Sequence, residues 1–146
     1  MEVRNKFGQY VPYRALLGST FQSHFMTCVQ LLRLTKTWTH ASIQGISEVN
    51  TATHHSVLIH MRSRRTDWHT TLDLAVLKNI TGITPSVKLD ISKLKIPKEL
   101  RLADELFNRP EKIDLLIGAE FFYEMLQSGR LRIPGNYPIL QETVLG

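Results

Sequence analysis

The chain carries one cysteine, Cys28, in 146 residues. A single thiol closes no internal disulfide, so a disulfide-stapled fold is excluded and a reducing compartment is the expectation. Long apolar runs are missing as well. Runs such as Leu115–Ile117 fall far short of the ~20 residues a membrane-spanning helix needs, so no membrane partner is expected. Met1 to Lys6 mix charges without an apolar core region, so no secretory leader is expected and an intracellular, cytoplasmic setting is. There is no low-complexity stretch and no block of like charge, which argues against disorder. A glycine-rich phosphate loop, a dinucleotide-binding glycine pattern and a serine-hydrolase elbow are all lacking. No internal repeat or linker divides the chain, which reads as one domain over residues 1–146 with length enough for one core.

What is present is ordinary for a globular domain: 42% apolar residues, 21% charged residues and a formal charge of +5. Arg62, Arg64 and Arg65 form the one tight basic cluster, beside Trp68. Nucleic-acid binding needs several phosphate-facing cations, and a solvated hairpin tip is the plainer reading, so nucleic acid is not expected as a partner. Histidines raise the question of a metal. His54 and His55 are adjacent, so on a strand they point to opposite faces. His60 and His69 across a hairpin give two ligands where zinc wants three or four. No metal and no cofactor are expected. His24 and Cys28 stand one helical turn apart and could mimic a thiol–imidazole pair, against the plainer reading of a buried helix cysteine.

The pattern predicts short strands with two short helices. Tyr10–Leu17 reads as one strand with Val11, Tyr13, Ala15 and Leu17 on one face, placed at an edge by Pro12. A helix is predicted from Ser23 to Leu34, with Phe25, Val29 and Leu32 at helical spacing. Val57, Ile59 and Met61 alternate, a turn follows at Arg64–Asp67, and Trp68, Thr70, Leu72, Leu74 and Val76 alternate back, which predicts a hairpin. Residues 80–100 break into extended pieces at Gly82, Pro85 and Pro97, and Leu102–Phe107 reads as one or two helical turns. Asp114–Ile117 is a short buried strand. Ala119–Gln127 is a helix closed by Gly129 as its C′ residue. Leu131–Ile133 and Ile139–Leu145 end the chain as strands around a turn at Pro134 to Asn136. Such a series predicts a mostly β, closed domain.

Two segments together suggest a family. Arg14 to Ser23 (Arg-Ala-Leu-Leu-Gly-Ser-Thr-Phe-Gln-Ser) runs from the end of the first strand into the residues after it, and Ile113 to Gly118 reads as an apolar strand and a glycine turn with a helix starting at once. The pair resembles the retroviral-type aspartic protease fold and, more narrowly, the aspartic peptidase domain of Pao/BEL retrotransposon polyproteins. That family's first segment reads Leu-Leu-Asp-Ser-Gly-Ser-Gln-Ser, and its aspartate is the catalyst. Here Gly18 stands at the aspartate position, Ser19 keeps the hydroxyl and Thr20 replaces the glycine. The resemblance implies a closed acid-protease barrel with one or two short helices, within a chain that in the family runs on as a longer polyprotein. It implies that Leu115, Leu116, Ile117 and Gly118 are a structural signature passing beside the catalytic loop. It also implies that Ile43, Gln44, Gly45 and Ile46 belong to a flap closing over an extended peptide.

Aspartic peptidases need two carboxylates about 3 Å apart sharing a proton, and a single-lobed chain supplies one, so two copies must pair. A glycine at that position offers neither proton nor oxygen. The expected function is therefore a retrotransposon-derived, catalytically silent peptidase-like domain acting through homodimerisation or through binding an extended peptide or polyprotein segment. Two alternatives stay open: an active endopeptidase using a partner-supplied or unrecognised aspartate such as Asp114, and a basic nucleic-acid accessory module built on Arg62 to Arg65.

Overall fold

The computed structural model describes residues 1–27, 32–43, 51–92, 94–133, 135 and 138–146. The chain is mostly β, with an eight-stranded sheet that curls into a half-barrel, a separate two-stranded sheet and a short helix. In chain order the elements are β1 (Glu2–Arg4), β2 (Tyr10–Pro12), β3 (Ala15–Leu17), β4 (Phe25–Met26), β5 (Thr37–Ile43), β6 (Thr51–Arg62), β7 (His69–Val76), β8 (Leu115–Ile117), α1 (Ala119–Met125), β9 (Leu126–Arg132) and β10 (Ile139–Thr143). The large sheet runs β2-β1-β6-β7-β4-β8-β3, with β5 also on β6, and β10 pairs β9. No helix among the described residues is long and apolar enough to cross a membrane.

The hairpin of β6 and β7 forms as its alternation predicts, in register from Ser56↔Ala75 to Arg62↔His69. Val57, Ile59, Met61 and Leu74 are buried, and Trp68, Leu72 and Val76 pack against them. Val11, Tyr13, Ala15 and Leu17 all face that same core. Val11 belongs to β2 and Ala15 and Leu17 to β3, however, with Tyr13 between the two strands, because the chain changes partners there. The Tyr13 N–H donates to the Met1 carbonyl at 3.0 Å, and the Arg14 N–H to Asp114 Oδ2 at 3.0 Å. Pro12 sits on β2, the end strand of the sheet, where a missing N–H costs no ladder bond.

Other predicted elements differ as well. The start of the predicted 23–34 helix is strand β4 instead: the Ala75 and Leu77 N–H groups donate to His24 and Met26 carbonyls, and the Thr27 N–H donates to Asp114 O at 2.8 Å. Partners on both sides outweigh the local helical spacing. Val29 and Cys28 lie outside the described residues. Residues 102–107 turn without forming a helix, because Asp104 Oδ1 takes the Leu106 N–H at 2.9 Å and competes with helical bonding. Helix α1 ends at Met125, two residues early, and Gly129 lies within β9 rather than closing the helix. Pairing with β10 begins at Leu126, which draws the chain into extended geometry there. Strand β5 has no counterpart in the predicted elements.

Two apolar clusters meet at β4 and β8. Met26, Leu115 and Ile117 join the larger core, while Phe25 and Leu116 join Leu77, Ile80 and Ile113. Burial on both faces explains why Leu115–Ile117 reads as a continuous apolar run instead of an alternating one.

Candidate functional site

The strands on either side of Gly18 define the site. β8 pairs parallel with β3, Leu17 opposite Ile117, and antiparallel with β4, Phe25 opposite Leu116. The apolar strand is thus inserted between the two strands that flank residues 18–24. The Gly18 N–H donates to the Ile117 carbonyl at 2.9 Å, which fixes the loop's first residue against the end of β8. Ser19 and Thr20 are exposed at the turn that follows.

Gly118 lets helix α1 start immediately. Its N–H donates to His24 Nδ1 at 3.0 Å, and the Ala119 N–H donates to the Phe21 carbonyl at 2.5 Å. A Cβ on Gly118 would fall 2.5 Å from that carbonyl oxygen and against the Ser23 carbonyl as well, so only glycine admits this approach. His24 is buried, its ring edge-on to Phe121 at 6.3 Å. Burial holds its pKa below 6.5, partly opposed by the Glu120 carboxylate 3.9 Å from Nε2. Because Nδ1 accepts the Gly118 N–H, the neutral ring carries its proton on Nε2.

Arg14 ties the irregular 80–110 stretch to this frame. Its Nε donates to Asp104 Oδ2 at 2.8 Å, and its Nη atoms donate to the carbonyls of Thr84, Arg109 and Leu106. With side-chain exposure of 12%, it is a half-buried anchor, which composition and spacing give no reason to suspect.

The predicted residues can now be placed. Leu115, Leu116, Ile117 and Gly118 are all buried beside the Gly18 loop. Position 18 holds no carboxylate, and the space a side chain would enter is taken. A Cβ there would lie 2.7 Å from Phe21 Cδ2 and 4.0 Å from Leu116 Cδ2. Phe21 was the missed residue: the segment that the sequence resembles has serine at that place, a departure that marks the residue but not where its ring lies. Asp114 lies apart from the Gly18 loop. Its Oδ2 is held by the Arg14 N–H, and it stands three residues before Ile117, roughly 10 Å along a strand. Ile43 closes β5, which pairs antiparallel with β6, while Gln44, Gly45 and Ile46 lie outside the described residues.

The arginine cluster is largely spent on the protein itself. Arg62 stacks on Tyr10, 3.8 Å from the ring centre, and Nε donates to Glu2 Oε2 at 2.8 Å. Arg65 pairs with Glu105, and Arg64 Nε lies 3.9 Å from Glu2 Oε1. An open cavity of about 760 Å³ lies among Tyr10, Arg62, Arg64 and Trp68. His60 faces Thr71 and His69 faces Arg62, so the two histidines are diagonal neighbours. Among the described residues no three His, Cys, Asp or Glu side chains converge as metal ligands.

No protein-family model, curated protein or solved structure matches the chain.

Proposed function

We propose that this chain is a catalytically silent, retropepsin-like domain of retrotransposon descent, acting through homodimerisation and the binding of an extended peptide. The observation that carries the reading is the insertion of β8 between β3 and β4, the strands on either side of Gly18. An acid-protease frame requires an apolar strand beside its catalytic loop with a helix packed behind, and Gly118 starts α1 at that point. The closed barrel and the two-fold pairing of Gly18 loops are part of the same proposal. With Gly18 at the acid position and Phe21 across its side-chain space, a pair of loops brings no shared proton to a peptide carbonyl. A peptide strand can still add to exposed backbone under the β5–β6 hairpin.

The test is sedimentation at micromolar concentration together with a fluorescent peptide library. Dimers that bind extended peptides without cleaving them are expected. A monomer that binds no peptide, or a chain that turns peptides over, overturns the reading.

A further inference from the structure

Among the described residues one edge of β7 is open, and its residue order makes it complementary to itself. Successive strand residues direct their N–H and C=O groups to opposite sides. The Trp68 carbonyl accepts the Ser63 N–H at 2.9 Å across the β6–β7 turn, so even-numbered residues face β6. The Ala75 N–H points the other way, to the His24 carbonyl at 3.0 Å, and the Leu77 N–H to the Met26 carbonyl at 2.9 Å. Asp73, Thr71 and His69 therefore present their backbone groups on the side of Ala75. β4 reaches only Ala75 and Val76. Among the described residues, no strand pairs with that side of β7 from His69 to Asp73. All three odd residues are exposed, and neither lysine nor proline protects the edge.

We infer that this edge binds the same edge of a second copy of the chain, antiparallel about a two-fold axis at Thr71. Thr71 then faces the partner's Thr71, His69 faces the partner's Asp73, and Asp73 faces the partner's His69. All three are hydrogen-bonded pairs, giving about six backbone bonds. Threonine–threonine and imidazole–carboxylate pairs both favour antiparallel neighbours, whose Cβ atoms stand about 5 Å apart. The register is specified. A slip one way sets Asp73 against the partner's Asp67. A slip the other way sets His69 against the partner's Ala75, whose edge β4 already holds. The association is weak, because five residues a side make a small interface. It is independent of the peptidase-like reading, whose dimer meets at the Gly18 loops.

Sedimentation of the full chain from roughly 10 µM to 1 mM spans the range of such an interaction. Asp73→Lys and His69→Glu are each expected to weaken self-association about ten-fold or more, since each sets like charges or an unmatched pair across the axis. Mixing the two variants in equal amounts is expected to restore association as a heterodimer. One chain's His69 then faces the other's Asp73, and the new lysine faces the new glutamate. Both sites are exposed, and Asp73 forfeits only its 3.3 Å bond from Ser56 Oγ. Should Asp73→Lys not fold by circular dichroism, Asp73→Asn supplies the weakening arm. Ser19→Ala and Thr20→Ala are expected to leave this association unchanged. Monomeric wild type at the highest concentration, single variants that associate normally, or a mixture without recovery would each overturn the proposal.

Discussion

The β6–β7 hairpin and the Gly18 loop specify their structure in opposite ways. The hairpin joins strands of 12 and 8 residues through one turn, and every residue facing its core repeats at period two. The loop is framed by strands of three, two and three residues, and its partners lie far along the chain: Gly118 to His24 spans 94 positions and Arg14 to Asp114 spans 100. Local pattern builds the first region, while a few long-range contacts build the second. A region held by few contacts has few substitutes for each of them, so the loop should be brittle where the hairpin is tolerant.

Gly118→Ala is the harshest way to expose that difference. Its Cβ would press on the Phe21 and Ser23 carbonyls, which belong to backbone and cannot swing aside. A loss of about 4 kcal/mol or more in urea unfolding is expected, the size reserved for a forced backbone shift. A loss under about 1 kcal/mol would mean the loop adapts, and that the contrast with the hairpin is overdrawn.

Two arginines sharpen the comparison. Arg14, 12% exposed, holds Asp104 and three carbonyls, so Arg14→Ala removes four hydrogen bonds at once and should cost about 2 kcal/mol or more. Arg62, 48% exposed, pairs with Glu2 at the hairpin's end, and Arg62→Ala should cost about 1 kcal/mol or less. Equal losses in thermal unfolding would remove the distinction.

A pH titration separates the regions more gently. Burial lowers the His24 pKa below 6.5, so the unfolded chain takes up a proton where the folded chain does not. The His24 contribution to stability is therefore fully present above about pH 6.5 and is lost as pH drops from there toward the lowered value, with a slope of at most about 1.4 kcal/mol per unit. The buried Met1 amino group, lowered from 8.0 chiefly by desolvation, acts with the same sign from pH 8 downward. His24→Asn keeps an acceptor for the Gly118 N–H and should flatten the dependence below pH 6.5. An unchanged profile would place the titrating group elsewhere.

The smallest effect belongs to the hairpin's outer face. Leu58 is 58% exposed, and Leu58→Ala should change stability by less than about 0.5 kcal/mol.

What the sequence made legible follows the same division. Val57, Ile59 and Met61 announce their strand by alternation, and Leu115–Ile117 announces burial by being apolar throughout. Phe25 and Met26 do neither, because each faces a different core cluster and their helical spacing with later residues suggests a helix. Strand β5, Thr37–Ile43, is mixed and carries exposed Trp38, so its place on β6 is set by pairing more than by pattern. The role of Arg14 depends on carbonyls some 70 to 95 residues away, which no local window samples. At the site, the glycine at position 18 is plain in the sequence, whereas the ring of Phe21 across that position depends on the fold.

The central claim is that a peptidase frame survives here without its acid, and restoring the motif tests it most directly. Gly18→Asp alone meets Phe21, and adding Thr20→Gly frees the turn but not that space, so Phe21→Ser completes the change. The measurement is peptide cleavage from pH 3 to 7 by wild type and the triple variant side by side, with pepstatin as control. The account predicts no turnover by wild type and pepstatin-sensitive cleavage by the triple variant. Cleavage by wild type, or a triple variant that folds, dimerises and cleaves nothing, would contradict it.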